Sequence, residues 1–178
     1  MYPGCGYDNN WDLGLSEGEP GFDHVALRLG NTAELDEYED LLAGNGVDYT
    51  RAESEEPGVH TSIGFELPSE KEIEFVSLED YEYHYAVETL ESRQSTAPRD
   101  ADHVALMSHE LRQDIDFLRD TAGFRITSEL QEDGQSVGAF TRFGDRHHDI
   151  AWIAGPPEFD LHHLAWEMNG SEHLMPHG

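Results

Sequence analysis

Two stretches of this sequence decide its fold: Asp23-His24-Val25-Ala26-Leu27 and, 79 positions later (103 − 24), Asp102-His103-Val104-Ala105-Leu106. All five residues repeat unchanged. A third, weaker copy, Leu161-His162-His163-Leu164-Ala165-Trp166, has His163 and Ala165 where the second has His103 and Ala105. Each copy alternates with the period of two that marks a β-strand with one packed face. His24 and Ala26 then face one side while Val25, Leu27 and Leu29 face the other, so the histidines share a concave face.

The residues after the first two copies match as well. Leu35, Tyr38, Leu41 and Leu42 have helical spacing, with Thr32 as N-cap and Gly44 or Gly46 as the stop. Leu111, Ile115 and Leu118 repeat the pattern, with Ser108 as cap and Gly123 just past the end. Strand-like segments follow at Val47–Arg51, His60–Leu67 and Glu72–Leu78, and again at Phe124–Leu130, Ser136–Phe143 and His148–Ala154. Both units read β-α-β-β-β, which predicts an α+β fold of repeated βαβββ modules.

The predicted organisation is a leader over residues 1–20 with one remnant strand at Trp11–Leu15, a first module over 21–80 and a connector over 81–100. A second module covers 101–155, and 156–178 begin an incomplete third. The connector runs from aromatic and acidic to Ser, Thr and Pro, with a short helix expected over Ala86–Arg93.

Composition limits the function classes. Of 178 residues, 38 are acidic and 10 basic, a formal charge of −28, and the cations are nine arginines and the single Lys71. Such a surface repels itself in dilute buffer, whereas near 1 M salt the screening length falls to about 3 Å. This points to a cytoplasm of high salt. Nucleic acid is excluded as a partner by the lack of clustered Lys and Arg. Apolar runs fall far short of the roughly 20 residues of a membrane span, and the start has neither the basic nor the apolar region of a secretory signal. Cys5 is the only cysteine, which rules out an internal disulfide and any zinc site built on several thiolates.

The polar candidates have bland readings beside the sharp ones. His103 as a solvent-facing strand residue is less favoured than a ligand, because His24 and His163 repeat it; for His24 alone the preference reverses. Glu74 lies among many acids and reads as surface by default. His147-His148-Asp149, directly before the apolar Ile150–Ala154, reads as the edge of a site rather than a turn. His173 and His177 read as tail residues. Tyr81, Tyr83 and Tyr85 read as packing before substrate stacking.

The ordered set of His103, then His147-His148-Asp149-Ile150-Ala151-Trp152, then His163 resembles the two-histidine, one-carboxylate extradiol dioxygenases of the vicinal-oxygen-chelate, or glyoxalase-like, superfamily. The likeness spans roughly Phe22 to Met168. It implies that His103 and His163 bind a metal, Fe(II) or else Mn(II) or another divalent ion, and that His148 is the acid–base catalyst. It also implies a catechol or related vicinal diol and O2 as substrates. Such a ligand set leaves adjacent positions open for a chelating diol and dioxygen, while a neighbouring histidine moves protons.

The family's third ligand is a Glu on the last strand of the module that His163 opens, and this sequence stops before it. The chain is therefore expected to match the middle of a longer enzyme, with two of three ligands. A second arrangement stays open, because Leu67-Pro68-Ser69-Glu70-Lys71-Glu72-Ile73-Glu74-Phe75 resembles the family's Asp-Pro-x-Gly-x-x-x-Glu strand entry. It would join His24, Glu74 and His103, within one domain or across a homodimer. The same scaffold also implies two rivals: a glyoxalase-type lyase, isomerase or transferase, and a non-catalytic small-molecule-binding protein.

Overall fold

A computed structural model describes residues 1–5, 10–54, 56–80, 98–168 and 170. The first repeat forms β1 (His24–Arg28), α1 (Thr32–Gly44), β2 (Tyr49–Glu53), β3 (Val59–Glu66) and β4 (Glu72–Leu78). The second forms β5 (Asp100–Ser108), α2 (Leu111–Asp120), β6 (Arg125–Glu132), β7 (Gln135–Arg142) and β8 (Ile150–Ala154), and the third copy forms β9 (Leu161–Glu167). This is the α+β architecture of paired βαβββ modules. The connector with its expected helix at Ala86–Arg93, Tyr81, Tyr83, Tyr85, His173 and His177 lie outside the described residues.

Two sheets result, ordered β1-β4-β3-β2 and β6-β7-β8-β5-β9. In each, the repeated strand runs parallel to the last strand of its unit: Ala26 lies opposite Glu74, and Ala105 opposite Ala151. β9 then adds antiparallel to the outer edge of β5. Among the described residues the corresponding edge of β1 carries no such strand.

Alternation assigns the two faces. Ile73, Phe75, Val104, Leu106, Ile150 and Trp152 are buried and join Leu35, Tyr38, Leu42, Ile115 and Leu118 of the helices in one core shared by both units. Tyr38 and Phe143 each pack against Phe75, with ring centroids 4.1 and 4.8 Å away. Full burial of side chains of this size contributes roughly 1.5–3 kcal/mol apiece. His24, Ala26 and Glu74 have the opposite parity in their sheet, and so do His103 and Ala105 in theirs. The histidine-bearing faces therefore turn away from the shared core.

Three local expectations need correction. Asn31, not Thr32, caps α1, because its Oδ1 accepts from the N–H groups of Ala33 and Glu34 at 2.9 and 3.2 Å. Ser108 caps no helix end as N-cap; its Oγ instead donates to Asp114 and accepts from the Glu110 N–H. Trp11–Leu15 forms no strand: Asp12 and Leu13 donate to the Pro3 carbonyl and Leu15 to that of Met1, so the leader folds back on itself. Trp11 and Leu15 remain about half exposed.

Candidate metal centre

The β5–β9 pairing brings two repeated histidines together. His103 lies opposite Ala165 and His163 opposite Ala105, which places both imidazoles on the outer face. Their Nε2 atoms are 3.4 Å apart. Each ring is held through its other nitrogen, His103 Nδ1 by Asp102 Oδ2 at 2.6 Å and His163 Nδ1 by His162 Nδ1 at 2.7 Å. An ionised Asp102 only accepts, so His103 Nδ1 carries the proton and Nε2 presents its lone pair. Two nitrogens each about 2.0–2.1 Å from one ion at a tetrahedral angle are roughly 3.4 Å apart. The pair thus fits two positions of a metal's coordination sphere.

His148 completes the cluster. It precedes β8, and its ring centroid lies 4.3 Å from that of His103 and 4.7 Å from that of Phe140. Its Nε2 is buried without a hydrogen-bond partner. Burial, then the neighbouring His103 and His147, hold its pKa below the usual histidine range. His163 is lowered too, by burial and then by His162 and His103. Both imidazoles are therefore disposed to be neutral, the form that can ligate a cation or accept a proton.

An open cleft of about 450 Å³ adjoins these rings, lined by Asp102, Arg146, His147, His148 and Glu167. Arg146 spans it, donating to the Ala101 and Asp102 carbonyls and pairing with the Asp100 and Asp102 carboxylates. Asp102 is thereby fixed on both oxygens. Among the described residues, no third His, Cys, Asp or Glu completes a three-ligand group with His103 and His163.

The other set does not assemble within the chain. His24 Nε2 faces Glu74 Oε2 at 3.5 Å, but the third member of that group is Glu56. His103 is on the other sheet, and because both histidine faces turn away from the common core, one subunit cannot bring it to Glu74. Sequence reasoning missed Glu56, Asp102, Arg146 and Glu167. For Asp102 there was a signal, since an Asp directly precedes the histidine in both intact copies.

The two-sheet fold of βαβββ units is shared with solved extradiol ring-cleaving dioxygenases. The structure resembles the 2,3-dioxygenase LapB of Pseudomonas sp. KL28 with a TM-score of 0.82 and 21% identity, over 97% of this chain and 64% of that one. Homoprotocatechuate 2,3-dioxygenase of Brevibacterium fuscum, solved with 3,4-dihydroxyphenylacetate, matches with a TM-score of 0.71 and 21% identity, over 85% of this chain and 47% of that one. In sequence, 75 residues are 31% identical to the metapyrocatechase of Geobacillus stearothermophilus, 41% of this chain and 23% of that protein. The chain thus spans less than two thirds of each. No protein-family profile matches the sequence. No helix of the described residues is long and apolar enough to cross a membrane.

Proposed function

We propose that this chain is an extradiol dioxygenase-like metalloprotein acting on a catechol or related vicinal diol with O2. One observation carries the reading: the Nε2 atoms of His103 and His163 face each other at 3.4 Å, beside the buried, unpartnered Nε2 of His148. His103 and His163 would hold the ion. Fe(II), or Mn(II) in its place, would supply the redox and Lewis-acid chemistry that joins a diol to O2. Asp102 keeps His103 in its ligating tautomer, and Arg146 keeps Asp102 in place. Neutral His148 accepts a proton at Nε2 from the diol and returns it as the ring opens. Phe140 excludes water from one side of that imidazole.

The charge of −28 supports a working environment of concentrated salt in the cytoplasm. The edge of β1, which no strand among the described residues covers, supports a second copy of the chain as partner, which sedimentation in molar salt would report as twice the 20.1 kDa chain mass.

The test is anaerobic loading with Fe(II) in molar KCl, followed by catechol and air. A yellow ring-opened product, absent from His163→Ala, is expected. Metal bound at His103 and His163 without product would replace the dioxygenase reading with that of a non-catalytic diol-binding protein.

A further inference from the structure

We propose that the outer face of the first sheet is a second divalent-cation site, formed by His24, Glu56 and Glu74 and independent of the His103–His163 pair. One ligand atom from each of the three lies within 4.8 Å of the other two. His24 Nε2 is 3.5 Å from Glu74 Oε2 and 4.0 Å from Glu56 Oε2. His24 Nδ1 is 3.3 Å from Asp23 Oδ2, which repeats the Asp102–His103 arrangement and turns Nε2 toward the carboxylates.

Glu74 supplies the second, separate observation. Its Oε2 is buried and has no hydrogen-bond partner, although the His24 ring is beside it. A buried anionic oxygen with no donor is costly, and a cation removes that cost. The separations of 3.5 and 4.0 Å exceed good hydrogen bonds. The 3.5 Å separation suits two ligand atoms each roughly 2.0–2.2 Å from a shared ion at a near-tetrahedral angle, and Glu56, on its turn, must close in by about half an ångström to join them.

The three groups are held in place by different means. Glu74 is central in β4, between Ala26 of β1 and Gly64 of β3, and the Glu72 carboxylate lies over Gly64 on the same face. Glu56 opens the turn Glu56-Pro57-Gly58-Val59, closed by the Val59 N–H on the Glu56 carbonyl at 3.1 Å. Pro57 at the second position and Gly58 at the third, with φ +83°, are the signature of a type II turn. Glu56 is the most exposed of the three and forms the mouth of the site. One imidazole and two carboxylates suit borderline ions such as Zn(II), Mn(II), Fe(II) or Co(II), with a position left for water.

Co(II) is the probe, titrated into the metal-free full chain in molar KCl and followed by its visible absorption. Wild type is expected to bind two ions. His163→Ala should retain one of them, the first-sheet ion. Glu74→Gln should lose that ion, and Glu56→Gln should bind it at least about tenfold more weakly. Glu56→Gln alters an exposed turn and carries the test if Glu74→Gln does not fold. A single Co(II) in wild type that disappears with His163→Ala would overturn the proposal. So would unchanged titrations of both Glu variants, which would reduce the trio to an ion pair. A single Co(II) that survives His163→Ala but not Glu74→Gln would support this site while removing the metal at His103.

Discussion

His103 and His163 are sixty positions apart in the chain, yet their Nε2 atoms meet at 3.4 Å because β5 and β9 are antiparallel neighbours. The β5–β9 pairing therefore carries the candidate site. Each strand contributes one imidazole, and each imidazole is oriented by the residue just before it.

The first consequence concerns Asp102. Its Oδ2 holds the proton on His103 Nδ1 at 2.6 Å, so Asp102→Asn presents an amide that can point its NH2 at the same nitrogen and favour the wrong tautomer. Loss of such an orienting partner typically weakens metal binding 10–100-fold. Fe(II) affinity measured anaerobically is expected to fall by that amount, with His103→Ala losing more. Unchanged affinity in Asp102→Asn would remove Asp102 from the centre.

His148 separates chemistry from metal binding. Its Nε2 is buried beside His103 but is no member of the facing pair. His148→Asn should therefore keep its Fe(II) and lose about 10²–10⁴-fold in kcat, with a smaller change in KM. A variant that loses the metal instead would make His148 a ligand.

The sequence made the strands legible through the alternation in each Asp-His-Val-Ala-Leu copy, which in β5 places Val104 and Leu106 in the shared core and His103 outside it, although Ala105 on the His103 face is buried as well. It was less informative where backbone competition decides. Val47 reads as strand, but its N–H closes the exit of α1 on the Leu42 carbonyl, and β2 starts only at Tyr49. Nor does pattern reveal which charges are internal. Lys71, the only lysine, is 4% exposed and bonds Asp160 at 2.6 Å across 89 positions, and Glu56 meets His24 only through a turn. Such pairings depend on sheet packing that no local window contains.

Acidification gives a prediction with a definite sign. His148 and His163 have lowered pKa values in the folded chain, chiefly through burial. The unfolded chain then binds more protons below the ordinary histidine pKa of about 6.5. Their contribution to stability is present above that pH and lost as pH falls through the folded-state values. Protonation of the many carboxylates alters stability at the same time, so the comparison is with a His148→Asn, His163→Asn double variant in metal-free molar KCl. Between pH 7.5 and 5.5 the wild type should lose more urea resistance than the variant. An equal loss would show that the two rings do not contribute.

Asp114 joins the two units at a single buried carboxylate. It lies on α2 with no exposed surface. Its Oδ1 accepts the Ser69 N–H, from the β3–β4 turn of the first unit, at 3.0 Å, and its Oδ2 accepts the Ser108 hydroxyl, from the end of β5, at 2.5 Å. Asp114→Ala strands both donors in the core, where an unsatisfied group costs about 1–3 kcal/mol. A total loss of about 3 kcal/mol is expected, a fall in Tm of roughly 6–12 °C for a chain of this length. Asp114→Asn keeps one acceptor oxygen and should fall between Ala and wild type. Urea unfolding with an unchanged m-value checks that the loss is one of stability and not of two-state behaviour. If Asp114→Ala costs less than about 1 kcal/mol, water must reach the junction and this carboxylate does not hold the two units together.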